Sequence, residues 1–156
     1  MVTLNEIQEF LSPKKMAVAG VSRNPKKFGA VVFNELKGKG FDVYPINPHV
    51  AEIYGQKCYN SVSELPGDVK NIYVVTPKTE TSLVVSEAVK KGIEKIWIQQ
   101  SSDTEEALKT AKDNNIPVIY KKCMFMFAEP VSGPHKFHRS IVKIFGRYPK
   151  KQTVAG

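Results

Sequence analysis

Five short apolar runs punctuate the chain: Met16 to Gly20, Phe41 to Ile46, Asn71 to Thr76, Glu94 to Gln99 and Ile116 to Tyr120. They are rich in β-branched and aromatic side chains, which predicts strands. Their nearly unbroken apolar character suits a parallel sheet covered on both faces. The stretches between them carry helical spacing. Gly29 to Lys37 places Val32, Phe33 and Leu36 on one face and stops at Gly38 and Gly40. Thr81 to Lys91 does the same with Val84, Val85, Ala88 and Val89, ended by Gly92. Ser102 to Asp113 opens on a predicted capping box, Ser102 with Glu105, and aligns Ala107, Leu108 and Ala111. A similar box, Thr3 with Glu6, heads a short helix over Glu6 to Leu11.

Strand–helix–strand repetition with short links predicts right-handed crossovers and a doubly wound, mainly parallel sheet in three layers, α/β/α. Gly55 to Tyr59 reads as a short edge strand, and Ser61 with Glu64 as the caps of one helical turn. The pattern changes after Cys123, so residues 1–123 are expected to form one domain and 124–156 a C-terminal extension. Met124 to Phe127 is expected to cover a sheet edge or make a dimer contact. Beyond it, His135 to Tyr148 reads as a helix with Phe137, Ile141, Ile144, Phe145 and Tyr148 on one face. Lys136, Arg139, Lys143 and Arg147 form its basic face.

Composition bounds the partners. With 156 residues, 42% hydrophobic and 24% charged, the chain has ordinary globular make-up and enough length for one sizeable core. No apolar run approaches the ~18 residues of a membrane span, and the first residues show no secretion signal. Cys58 and Cys123 are too few for a disulfide framework, which makes a reducing, cytoplasmic setting the default expectation. A net charge of +8 favours anionic partners: phosphorylated small molecules, nucleic acid or an acidic membrane surface.

The first strand–helix turn, Gly20 to Gly29, decides among these. In open α/β sheets ligands bind beyond the carboxyl ends of strands where the strand order reverses. Gly20 permits close backbone approach, Ser22 offers a hydroxyl, and the helix that follows presents free N–H groups to an anion. Arg23, Lys26 and Lys27 add positive charge at the same place. A diphosphate is the natural occupant. The dinucleotide pattern G-x-G-x-x-G is absent, since Ser22 and Pro25 occupy two of its glycine positions. The second strand ends in Asn47-Pro48-His49, without the carboxylate that holds the ribose of NAD. NADP or coenzyme A, with an extra phosphate that nothing there repels, fits better. A Walker A motif is also missing.

These residues resemble a known family. Val18 to Pro25, together with Val43 to Pro48, is similar to the CoA-binding domain family, whose Rossmann-like fold is shared with the N-terminal domain of the succinyl-CoA synthetase α subunit. Gly55 to Tyr59, Ser63 to Pro66, Lys95 to Gln99 and Lys122-Cys123 extend the match over roughly residues 12–124. The resemblance implies that Gly20, Val21, Ser22, Arg23 and Asn24, with Lys26 beside them, line the CoA diphosphate. It implies that Asn47 and Pro48 border the adenine–ribose end, with His49 as a ribose or phosphate contact. It implies that Val75, Thr76 and Pro77 cover the opposite side, and that Gln99 and Cys123 face the pantetheine arm or close the cleft. Gln100 stands where many members have Gly, which implies a narrower cleft at that point.

No catalytic set emerges. The expectation is therefore a stand-alone CoA or acyl-CoA binding protein taking a small-molecule nucleotide ligand. A small NADP-dependent oxidoreductase is the alternative, as is nucleic-acid or membrane-surface binding through the basic helix, which lacks the aromatic motifs of RNA-binding modules. His135 and His138 lie one helical turn apart without further ligands for a metal. Cys123 reads more readily as a buried small residue than as a thiol poised to form a mixed disulfide with CoA. A homodimer is expected through the apolar segment after Cys123.

Overall fold

A computed structural model describes residues 2–128. The elements in chain order are α1 (Leu4–Leu11), β1 (Lys15–Ala19), α2 (Phe28–Gly38), β2 (Asp42–Ile46), β3 (Glu52–Ile53), β4 (Gln56–Lys57), β5 (Asn71–Val74), α3 (Lys78–Lys91), β6 (Lys95–Gln99), α4 (Glu105–Asp113) and β7 (Val118–Lys122). Single 3₁₀ turns occupy Val62–Glu64 and Met124–Met126. The main sheet is parallel, in the order β2-β1-β5-β6-β7, with β1 and β5 as the pair from which the chain winds in opposite directions. The expected doubly wound, Rossmann-like architecture is therefore observed.

Alternation along the strands builds the three layers, because successive side chains in a strand point to opposite faces. Val18, Tyr73 and Trp97 point into the apolar layer shared with Ile7 and Phe10 of α1 and with Val32, Phe33 and Leu36 of α2. Their neighbours Ala17, Ala19, Ile72, Val74, Ile96 and Ile98 point the other way, onto Val85 and Ala88 of α3 and Ala107 and Ala111 of α4. Trp97 is fully buried between Phe10, at a centroid distance of 5.5 Å, and Tyr73 and Phe127, both at 6.1 Å. Its indole N–H donates to the Lys122 carbonyl at 3.1 Å, so this large side chain buries no unmatched donor.

Several boundaries differ from the sequence expectation. The α4 cap is Thr104, whose hydroxyl accepts the Ala107 N–H at 3.1 Å, and not Ser102. Glu105 is then the first helical residue, two positions ahead of the third helical position from which a capping-box glutamate reaches back. The α1 box, Thr3 with Glu6, forms as expected. Helix α3 begins at Lys78, three residues ahead of Thr81, directly after Pro77. Strand β7 lies two residues later than the apolar run suggests, and as an edge strand it admits Lys121 and Lys122. Gln56 and Lys57 pair with β3 in a hairpin, while Tyr59 makes a single parallel bridge to Ile46. Around the Val62–Glu64 turn, Glu64 accepts the Asn60 N–H and Ser61 pairs with Ser63, so neither acts as the expected helix cap.

Met124, Phe125, Met126 and Phe127 are buried in the domain's own core. They form no exposed patch, which removes the observation on which the homodimer expectation rested. The helix expected over 135–148, its basic face and the His135–His138 pair lie outside the described residues. No described helix is long and apolar enough to cross a membrane.

Candidate functional site: two clefts at the strand reversal

The carboxyl ends of β1 and β5 face a pair of clefts that share Gly20, Ser22, Thr76 and Pro77. One, of about 640 Å³, continues past Lys27, Phe28 and Gly29 to Gln99, Gln100, Ser101 and Ser102. The other, of about 360 Å³, runs along Val21, Asn47, Pro48 and His49 to Asn60, Ser61 and the outward side of α3. Together they form a trough astride the strand reversal, where this topology places ligands.

Two glycines let the chain make the junction. Gly20 has φ +99°, and a Cβ there would stand 3.0 Å from the Thr76 N and from the Val75 carbonyl. Gly29, in the first turn of α2, is tighter still: a Cβ would meet the Gly20 carbonyl oxygen at 2.0 Å. The helix start therefore lies directly on the turn after β1, an approach that only glycine permits. Asn24 donates its N–H to Ser22 Oγ at 3.1 Å, and Asn24 Oδ1 accepts the Lys26 N–H at 3.0 Å, which folds the loop between them.

Helix starts differ in a way that bears on charge. Helices α1 and α4 are capped by the side chains of Thr3 and Thr104. Helices α2 and α3, whose starts Lys27 and Pro77 lie in the cleft walls, have no side-chain cap. Their first N–H groups and the positive ends of their dipoles are thus left for an anion. Arg23, Lys26 and Lys27 are exposed around the same rim.

The expected site residues separate into those that line the trough and those that do not. Gly20, Val21, Ser22, Asn47, Pro48, His49, Thr76, Pro77 and Gln99 line one cleft or both. Arg23, Asn24, Lys26 and Cys123 line neither. Asn47 also braces the site: its Nδ2 donates to the Val21 carbonyl at 2.8 Å, and its Oδ1 accepts the His49 N–H at 2.8 Å. Thr76 is buried, with its hydroxyl 3.0 Å from that of Thr81. Gln100 is exposed on the rim of the larger cleft, and the left-handed residue of that turn is Ser101, at φ 77°. Cys123 is half-buried against the core. One expectation needs correction. The cleft beside Asn47, Pro48 and His49 is not free of negative charge, because Glu80 and Glu87 reach it from α3.

A family model described as the CoA binding domain matches residues 14–129. The chain belongs to the CoA-binding domain family. Among its relatives is the α subunit of an ADP-forming acetate–CoA ligase II from Pyrococcus furiosus, 32% identical over 149 residues, which cover 94% of this chain and 33% of the relative. The chain thus spans a third of that ligase subunit. The Bacillus subtilis protein YneT is 28% identical over 120 residues, 76% of this chain and 89% of YneT. Among solved structures, a Pyrococcus horikoshii protein superposes with a TM-score of 0.78 at 32% identity, over 85% of this chain and 94% of its own.

Within this CoA-binding domain, several contributors escape sequence reasoning. Gly29 reads as an ordinary helix residue, and only its contact with Gly20 reveals its part. Tyr54, at the hairpin tip, donates from its hydroxyl to the Arg23 carbonyl at 3.4 Å and stacks on Phe33 at 6.0 Å. It ties the hairpin to the basic loop, a long-range contact with no local signature. Glu80 follows from the earlier start of α3, whereas Glu87 lies within the helix expected over Thr81 to Lys91.

Proposed function

We propose that this domain binds coenzyme A or an acyl-CoA as an independent binding module. The diphosphate rests on the Gly20–Ser22 turn against the uncapped start of α2, with Arg23, Lys26 and Lys27 supplying countercharge. The adenosine end occupies the smaller cleft beside Asn47, Pro48 and His49. The pantetheine arm follows the larger cleft toward Gln99. The observation that carries this reading is the pair of clefts meeting where two uncapped helix starts converge. Their volumes of about 640 and 360 Å³ lie in the range of ligand sites, and a two-lobed trough suits a ligand with a charged middle and two arms.

Family membership favours coenzyme A over NADP as that ligand. YneT and the P. horikoshii protein, both nearly covered by this chain, support a module that operates without the remainder of a ligase. The residues present fit the group: the close contact of Gly29 with Gly20 sets the start of α2, which carries no side-chain cap, directly on the turn after β1, where its first N–H groups can meet a phosphate.

Thermal denaturation in the presence of coenzyme A, acetyl-CoA, NADP and ATP tests the proposal. A ligand that binds only the folded state raises the melting temperature by mass action. Coenzyme A and its thioester are expected to give the largest shifts. A shift with NADP alone, or none with coenzyme A, contradicts the reading.

A further inference from the structure

Tyr54 occupies a position that its backbone disfavours. With Gly55 it forms the two-residue tip of the hairpin in which Glu52 pairs with Lys57 and Ile53 with Gln56. Both tip residues are left-handed, at φ 49° for Tyr54 and 75° for Gly55. Such a turn readily accepts asparagine, aspartate or glycine, and a bulky side chain there carries strain. Burial does not offset it, because Tyr54 is 45% exposed. Its ring stacks on Phe33, which leaves the hydroxyl to be accounted for. Strain of this kind persists where the surroundings hold the residue for a purpose.

The hydroxyl stands at one end of a short relay. It donates to the Arg23 carbonyl at 3.4 Å. The N–H of the same peptide unit, that of Asn24, donates to Ser22 Oγ at 3.1 Å. A trans peptide unit is a rigid plate whose C=O and N–H point in opposite directions, so the two bonds hold the plate from both ends. Ser22 Oγ thus accepts from Asn24, while its own proton has no acceptor among the described residues. Ser22 lines both clefts, whereas Tyr54 lines neither. The hairpin is anchored independently of the loop it holds. Ile53 is buried in the core, and Gln56 donates to the Val43 carbonyl of β2 and accepts from Lys37 of α2 at 2.9 Å.

We propose that Tyr54 is a positioning residue for the anion site: through the Arg23–Asn24 peptide it holds Ser22 Oγ as an acceptor, so that the serine proton is directed to a phosphate oxygen of the ligand. This inference rests on the coenzyme A reading and deepens it. Hydrogen bonds in series polarise one another, so engaging the Arg23 carbonyl strengthens the Asn24 N–H as a donor and the Ser22 O–H in turn. Ser22 makes the contact, and Tyr54 acts only through it.

Tyr54→Phe keeps the ring on Phe33 and removes only the hydroxyl. Calorimetry is expected to show a roughly two- to fivefold loss of affinity, within the range of one net hydrogen bond. The loss is expected to be equal for coenzyme A and for 3′-phosphoadenosine 5′-diphosphate, which keeps the diphosphate and lacks the arm. Ser22→Ala is expected to lose affinity as well, and Tyr54→Phe to add nothing in that background. In ¹⁵N spectra of the ligand-free protein the Asn24 backbone amide is expected to move in Tyr54→Phe, since its N–H belongs to the peptide unit that the hydroxyl holds. A ring that merely packs on Phe33 would change neither the affinity nor that resonance. Unchanged affinity, a loss for coenzyme A alone, a further full loss on top of Ser22→Ala, or an unmoved Asn24 amide overturns the inference. Failure of the wild-type protein to bind coenzyme A overturns the underlying reading, and is seen before any variant is made.

Discussion

Gly29→Ala tests the contact on which the phosphate site is built. The added Cβ would stand 2.0 Å from the Gly20 carbonyl oxygen, 2.9 Å from its carbon and 3.3 Å from the Val21 Cα, all of them backbone atoms. No rotamer change can relieve the clash, so the start of α2 has to retreat by more than ~1 Å to reach ordinary carbon–oxygen contact. Overpacking of this kind costs about 1–3 kcal/mol, and the better helix propensity of alanine returns at most about 1 kcal/mol. The net expectation is a loss of about 1–2 kcal/mol, together with a marked loss of coenzyme A affinity because the N–H groups of the helix start move off the turn. The same helix holds a control. A Cβ at Gly38 meets nothing within 4 Å, so Gly38→Ala is expected to be neutral or to stabilise by up to about 1 kcal/mol, with binding unchanged. Urea denaturation and calorimetric titration of both variants provide the measurements. A Gly29→Ala protein as stable as Gly38→Ala, with wild-type affinity, would refute the reasoning.

Other expectations follow from the same geometry. Thr104→Ala removes the α4 cap and is expected to cost about 1 kcal/mol in denaturation. Tyr73 holds its proton more tightly folded than unfolded, so the native state binds more protons than the unfolded state above the ordinary tyrosine pKa of 10.0. Its contribution is complete below that pH and is lost as pH rises beyond it, at about 1.4 kcal/mol per pH unit. The wild-type protein should therefore lose stability more steeply than Tyr73→Phe in that range, and parallel profiles would contradict it. Neutralising Glu80 and Glu87 as Gln is expected to tighten binding of coenzyme A more than that of dephospho-CoA, because the two carboxylates border the cleft assigned to the ribose 3′-phosphate. Equal effects on the two ligands would place that phosphate elsewhere.

Local chemistry carries much of this fold into the sequence. The apolar runs at Met16, Asn71 and Glu94 read as buried parallel strands because both faces of each are covered, which leaves a continuous hydrophobic signal. The Thr3–Glu6 box is equally legible, since both partners lie within one turn. What stays hidden depends on distant residues meeting. Pro77 can head α3 only because its missing N–H is no loss at a helix start, and Lys78 to Glu80, all exposed, give no apolar rhythm to announce that turn. One negative charge, Glu80, consequently joins Glu87 at a cleft that the β2 end alone leaves neutral. Gly29 is similar: its value lies in the Gly20 carbonyl pressed against it, nine residues earlier in the chain. Met124 to Phe127 illustrates the converse, an apolar stretch whose hydrophobicity suggests a partner surface but which fills the domain's own core beside Trp97.

A co-crystal structure with coenzyme A tests the central claim most directly. The account predicts the diphosphate against the Gly20–Ser22 turn, within hydrogen-bond reach of the first N–H groups of α2, with the arm passing Gln99. A diphosphate bound away from the strand reversal, or a trough left empty while coenzyme A occupies another surface, would contradict it.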